Sequence, residues 1–262
     1  MPSRCNIITE GKMTMPNYVK NLLKMNGIAD LPLFRENDGK RELDFNRLIA
    51  MPKELNVVSG AQTDADILYY LTQRCTIPLD RLRGHERYLA HTLVSNELFD
   101  HWRERTFSRT LAQMAEASDA EKEQTFSRGK QYVSNFEKYG APTWYEWRIR
   151  EWGTKWNACY TEILDKDTVT FKTARSNPAP IIGKLGELYP SVEIEHWWAG
   201  EGTEINTGIR RLFAGEEEVS CFERGENAYS IYAKCWLGCE GVHLNDDGTL
   251  QITNCDDCGR CS

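Results

Sequence analysis

Nine cysteines occur in this 262-residue sequence, and five fall in two groups, Cys235-Trp236-Leu237-Gly238-Cys239 and Cys255-Asp256-Asp257-Cys258-Gly259-Arg260-Cys261. Between the groups, Asn245-Asp246-Asp247-Gly248 is a hairpin-turn signal flanked by Val242, Leu244, Leu250 and Ile252. Two cysteine pairs held at the ends of a hairpin are how a zinc ribbon gathers four thiolates around a tetrahedral ion, with Zn–S near ~2.3 Å. Cys255-x-x-Cys258-Gly suits a knuckle because the glycine lets the loop turn its amides toward the sulfurs, whereas Cys235-x-x-x-Cys239 is a looser pair. The predicted zinc ligands are Cys235, Cys239, Cys255 and Cys258, with Cys261 or His243 as a substitute. Four protein ligands leave no open position, so such a site is structural rather than catalytic. An iron-sulfur cluster uses the same donors, but the sequence supplies no redox partner for it. The plainer alternative is a set of unliganded reduced thiols.

The rest of the chain is poor in catalytic combinations. His85, His91, His101, His196 and His243 show no i, i+4 metal pair and no neighbouring nucleophile. His196 falls on the inward face of a predicted strand, where a hydrogen-bonded core histidine is expected. There is no Gly-x-Gly-x-x-Gly, no phosphate-binding Walker loop and no Gly-x-Ser-x-Gly. Glu216-Glu217-Glu218 is expected to be a charged turn, and Lys155 and Asn157 to be polar residues on a strand face. No catalytic residue is therefore assigned, and the expectation is a protein that is not an enzyme.

The elements that must position these residues begin with Met15 to Asn21, after a first stretch, 1–14, expected to be an extension. Tyr18 to Met25 has strand composition and ends at Asn26-Gly27, a turn dipeptide. Asp44 can cap a short helix burying Phe45, Leu48 and Ile49, stopped by Met51-Pro52. From Thr63 to about Tyr139 apolar residues recur at helical spacing, in runs holding Ile67, Tyr70 and Leu71, then Leu89 to Trp102, then Phe126, Val133 and Phe136. Arg81, Arg83, Arg87, Arg103, Arg105 and Arg109 are interleaved here with acids, as on a solvated, ion-paired helix surface.

Thr143-Trp144-Tyr145-Glu146 has the form of a capping box. The helix it opens should close on Gly153, with a strand alternating from Thr154 through Leu164. Thr168 to Thr173 is its partner strand. A helix follows from Ser176 or Asn177 with Ile181, Ile182, Leu185 and Leu188 on its apolar side, then a strand with Val192, Ile194, His196 and Trp198 inward, and a final strand near Thr207 to Phe213, followed by a turn at Ala214-Gly215. This order fits an α+β ferredoxin-like sandwich with a large helical insertion and a cysteine-rich zinc-ribbon-like hairpin. The parts are 1–14, 15–62, 63–140 (the insertion), 141–230 (the ferredoxin-like part) and 231–262 (the zinc-binding tail).

No apolar run approaches the ~20 residues a membrane helix needs, and no signal peptide is recognised, so no membrane partner and a cytoplasmic location are expected. The net charge of -7 is uneven: fifteen acids face five lysines or arginines from Leu185 onward. That balance disfavours broad phosphate binding by the C-terminal part and suits a basic partner or a solvated surface. Trp197-Trp198 can stack on bases as in sheet-based RNA readers, but the acidic surround opposes it.

Met15 to Asn21, Phe45 to Pro52, Trp152 to Ala158 and Phe171 to Trp198, with its Pro-Ala-Pro helix entry and Leu-Tyr-Pro exit, resemble the YubB-like proteins of phages and conjugative plasmids, which carry a ferredoxin-like domain. The resemblance covers roughly half the chain and brings no catalytic residues with it. It implies an accessory product of a mobile element acting inside a host bacterial cell. The function expected from it is non-catalytic binding of a host macromolecule, most simply a host protein, as an inhibitor of a bacterial defence system of anti-CRISPR or anti-restriction type. The alternative is a nucleic-acid-binding module using the arginines of the insertion.

Overall fold

The structure, a computed structural model, describes residues 17–74, 109–110, 112–202, 206–245 and 249–252. Two compact units emerge: Pro52–Trp147 forms one, and the residues up to Met51 together with those from Arg148 onward form the other.

The Pro52–Trp147 unit holds α1 (Ala61–Arg74), α2 (Asp119–Tyr139) and the first turn of α3 (Trp144–Trp152). Ser118 and Glu121 form a complete capping box at the start of α2, with Ser118 N–H donating to Glu121 Oε2 at 2.9 Å and Glu121 N–H to Ser118 Oγ at 3.4 Å. Gly129 lets α1 and α2 touch, since a Cβ there would stand 2.1 Å from the Asp66 carbonyl oxygen. Asp66, fully buried, is held by Arg128 through bonds of 2.5 and 3.1 Å, which offsets the cost of burying the carboxylate. Ile67, Tyr70, Tyr132 and Val133 form the core between the helices. The helix predicted around Leu89 to Trp102 lies outside the described residues.

The other unit is built on one antiparallel sheet. In chain order its elements are β1 (Tyr18–Met25), β2 (Phe34–Asn37), β3 (Lys40–Leu43), β4 (Cys159–Ile163), β5 (Thr168–Ala174), α4 (Ala179–Leu188), β6 (Ile194–Gly200), β7 (Thr207–Phe213), β8 (Glu216–Phe222), α5 (Glu226–Tyr232), β9 (Val242–Leu244) and β10 (Leu250–Ile252). Six strands lie in the order β4-β5-β1-β6-β7-β8, all neighbours antiparallel. The path β1, α3, β4, β5, α4, β6, with β1 central, is the split βαβ arrangement of a ferredoxin-like sandwich; β7 and β8 extend it at one edge.

Register decides which residues share a face. Leu23 pairs with Val169 and His196, Asn21 with Phe171 and Trp198, and His196 with Arg210. This face packs on the helices: Ile181, Ile182 and Leu185 of α4 are fully buried, and Phe45 sits edge-on to both Phe171 and Trp152. The opposite face, bearing Leu22, Trp197, Ala199 and Ile209, is covered by Ile231, Ala233, Cys235, Cys239 and Val242 from the segment that follows β8. Apolar area is buried on both faces, worth about 25 cal/mol per Å², so β1 and β6 form the centre of the unit.

Several expectations need correction. Strand structure starts at Cys159 rather than Thr154, because 153–156 bend before the chain joins the sheet. Phe45–Arg47 is a single 3-10 turn, not a longer helix, though Asp44 caps it by accepting from Asn46 N–H at 3.1 Å. Thr207–Phe213 is not the last strand of the sheet: the turn expected at Ala214-Gly215 is present, but Glu216-Glu217-Glu218 begin β8 after it instead of forming a turn. The expected hairpin is present as β9 and β10, with Val242 paired to Ile252. Among the described residues no helix is long and apolar enough to cross a membrane.

Candidate functional site

Of the predicted zinc ligands, Cys235 and Cys239 are described, and both are buried in the cluster that covers the sheet. They sit at the end of α5, where the helix widens into a π-helical stretch, Ala233–Leu237, before Gly238 turns left-handed. Cys239 N–H donates to the Ala233 carbonyl at 3.1 Å. Burial pushes the Cys235 thiol up to about 12, outweighing the Lys234 and Lys20 charges that act the other way, so this sulfur is a neutral core group. His243 is exposed on β9, and Cys255, Cys258 and Cys261 lie outside the described residues. Among the described residues no three His, Cys, Asp or Glu side chains are grouped to hold a metal.

His196 is a buried core histidine. Its Nε2 lies 3.0 Å from Asn21 Oδ1, and Asn21 in turn donates to Val19 O and Thr173 Oγ1. The ring stacks on Trp198. Burial, then the Arg210 charge, pushes its pKa well below the ordinary histidine value, so the imidazole is neutral.

The Trp152 to Ala158 junction is architecture. Trp152 is fully buried with its Nε1–H donated to the Ile49 carbonyl at 2.9 Å, and Gly153 takes a φ of 75° with Pro180 close enough that a Cβ would meet it at 2.8 Å. Asn157 is a clip, not a solvated residue. Its Oδ1 accepts from Phe45 N–H at 2.9 Å and its Nδ2 donates to Asp44 Oδ1 at 2.6 Å. Lys155 lies over the Trp156 ring.

An exposed strand lies at the β8 edge of the sheet. β7 and β8 pair without a register shift from Thr207–Phe222 to Phe213–Glu216. Ala214 and Gly215 both have positive φ, 53° and 82°, as a two-residue type I′ turn requires. Residues flanking such a turn exchange both backbone hydrogen bonds, so Glu216, Glu218, Ser220 and Phe222 bond β7 while the N–H and C=O of Glu217, Val219 and Cys221 point outward. Every residue of β8 but Phe222 is exposed.

Beside β8 lies a cleft of about 610 Å³ whose walls include Leu48, Ile49, Pro180, Lys184, Arg210 and Glu217. Arg210 has its side chain 9% exposed, stands over the Trp198 ring, and is paired through Nε to Glu217 Oε1 at 2.6 Å. Its Nη1 is buried with no hydrogen-bond partner among the described residues. Lys184 is paired with Glu187 at 2.8 Å. The cleft's described lining contains no hydroxyl, thiol or imidazole; its charged groups are Glu151, Lys184, Glu187, Arg210 and Glu217, which can hold and orient a ligand. Sequence reasoning passed over both β8 and Arg210. A lone arginine in a strand gives no signal, and Ala214-Gly215 marks a turn without showing that the three glutamates after it form a strand.

The aromatics that could stack on bases are not available on this sheet. Trp197 is buried by the segment after β8, and Trp198 by the helices and Arg210. Of the arginine stripe only Arg109 is among the described residues.

Residues 151–234 match the family model described as the ferredoxin-like domain in Api92-like protein. Among solved structures, the crystal structure of a protein Api92 from Yersinia pseudotuberculosis is similar at 10% identity, over 80% of this chain and 99% of that one, with a TM-score of 0.32; a likeness this loose fixes nothing by itself. No curated protein matches the sequence. The matched segment runs from the end of α3 into the π-helical stretch after α5, and the sheet order adds β1 at its centre. Residues 151–234 thus carry a ferredoxin-like domain similar to that of Api92-like proteins, completed in this chain by a strand from Tyr18–Met25.

Proposed function

We propose that this is a non-catalytic accessory protein of a phage or conjugative plasmid that works inside a bacterial cell by binding a host protein, as an inhibitor of a defence or nucleic-acid-processing system of anti-CRISPR or anti-restriction type. The observation that carries the reading is the acidic, fully presented strand β8, with Glu216, Glu217 and Glu218 at the edge of a rigid sheet. An acidic edge of this kind complements a basic surface and can occupy a groove meant for nucleic acid. Affinity capture from bacterial lysate at low ionic strength tests it. A single host protein retained in stoichiometric amount, whose activity on nucleic acid falls on addition of this protein, is expected; no retained protein would sink the reading.

The second reading, a nucleic-acid-binding module, draws on the arginines between Arg81 and Arg109. It requires a mobility shift of single- or double-stranded nucleic acid that weakens steeply with salt, and no shift at low salt would dispose of it.

We also propose a structural zinc ion on Cys235, Cys239, Cys255 and Cys258. The support is the β9–β10 register: from the Val242–Ile252 pair, Cys239 comes three residues before one end and Cys255 three after the other. The ion's charge would offset the cost of forming a thiolate at buried Cys235. Elemental analysis should find about one zinc per chain, lost in Cys255→Ser; equal zinc in both proteins would contradict the site.

A further inference from the structure

Resting on the host-protein reading, we propose that β8 is a strand-addition site and that its occupant is a basic, extended segment of the partner. Such a segment would bond the outward backbone groups of Glu217, Val219 and Cys221 as a seventh strand. Three observations converge on this. The edge is regular: seven residues pair with β7 in unbroken register, with no proline, no glycine and no bulge to twist it away. Proline and bulges are usual devices that blunt an edge strand; charged side chains are another, and on β8 they are the one present. Among the described residues β8 is the terminal strand of its sheet. Its side chains set the sign of the occupant: Glu216 and Glu218 are exposed on one face, while Glu217 on the other is paired with Arg210, so a strand laid beside them gains most from lysine or arginine on the face of Glu216 and Glu218.

The same charges select against another copy of this chain. Paired in parallel, two β8 strands would set glutamate against glutamate, and like charges facing across strands destabilise the pairing; paired antiparallel about Val219, they would still gather six glutamates along one seam. Strand addition takes its affinity from main-chain hydrogen bonds and its specificity from alternate side chains, which suits an inhibitor that must recognise a basic loop or tail without a deep pocket. Val219, 47% exposed at the middle of the strand, supplies the apolar contact.

The test uses the full chain and a fluorescein-labelled peptide of alternating lysine and valine, of about the length of β8, with an alternating lysine-proline peptide of equal charge as control. Fluorescence anisotropy should show binding of the lysine-valine peptide and at least about tenfold weaker binding of the control, the factor expected when main-chain hydrogen bonds are lost. Val219→Pro removes an outward N–H without touching a bond to β7, so the variant should keep its melting temperature and lose binding by about tenfold or more. Should Val219→Pro unfold, Glu216→Lys with Glu218→Lys gives the same loss through charge. Equal binding of the two peptides, no binding of either, or binding indifferent to both variants overturns the proposal. So does a wild-type dimer in sedimentation that Val219→Pro dissociates, since a second copy would then own the edge. A host protein captured equally by wild type and Val219→Pro would leave the host-protein reading standing and remove only the strand-addition site.

Discussion

The two edges of the sheet are treated in opposite ways. At the β4 edge the register slips between Cys159 and Glu162, and Tyr160 takes a positive φ of 52°. The end of β3 lies alongside, with Leu43 N–H donating to Thr161 Oγ1 at 3.1 Å and the Asn157 clip bonding Asp44 and Phe45. Bulge, hairpin and side-chain clip each deny that edge to another strand. At the β8 edge none of these is present, and glutamates alone stand guard. The lesson is that this sheet is protected where the fold is assembled and left open where acidity can choose the partner.

The comparison can be broken from the guarded side first. Trp152 braces Phe45, whose backbone the Asn157 clip holds. Trp152→Ala should cost about 3–5 kcal/mol, measured by urea unfolding, and no alanine in β8 should approach that. Thr161→Val leaves the buried Leu43 N–H without its acceptor and should cost about 1–3 kcal/mol. The matching change at the open edge, Val219→Thr, should stay within about 0.5 kcal/mol. Equal costs at the two edges would erase the distinction.

Between the edges, His196 sets a pH signature. Its folded pKa lies well below that of the unfolded chain, because burial and Arg210 disfavour the charged ring. Below the ordinary value near 6.5 the unfolded chain therefore binds a proton that the folded one does not, and stability is lost as pH falls through that range, by at most ~1.4 kcal/mol per pH unit. Denaturant titrations from pH 8 to about 5 should show this slope, and His196→Gln should flatten it. The smallest effect belongs to the β7–β8 turn: Ala214 holds a φ of 53°, so Ala214→Gly should stabilise the hairpin by up to ~1 kcal/mol by relieving the left-handed strain. A lower melting temperature for that variant would argue against the turn as described.

Much of the ferredoxin-like unit was legible because its elements carry local signals. Thr168 to Thr173 alternates as a strand with one covered face does, Pro178 and Pro180 mark the entry to α4, and Gly153 marks the end of α3. What escaped has local causes too. Glu216-Glu217-Glu218 has low strand propensity, and only the pairing with β7 makes it a strand. Asp38-Gly39, with positive φ at both residues, is a hairpin dipeptide whose flanking strands β2 and β3 are too short and polar to alternate visibly. On β6 both Trp197 and Trp198 are buried, since the segment after β8 covers the second face, and alternation then says nothing about which side is core. The site was less legible than the fold. Arg210 and Glu217 gain meaning from strand register, and Asn157 from a contact with Asp44 far away in sequence. Cysteine spacing set Cys235 and Cys239 beside a hairpin, but could not show that they end a helix and pack against Leu22 and Trp197.

Amide hydrogen exchange of the free protein, read residue by residue by NMR, tests the open edge most directly. The account predicts fast exchange at Glu217, Val219 and Cys221 and protection at Glu218 and Ser220, while the Leu43 and Phe45 amides beside β4 stay protected by Thr161 and Asn157. Protection at Glu217, Val219 and Cys221 in the free protein would mean that the edge is already covered, and would contradict it.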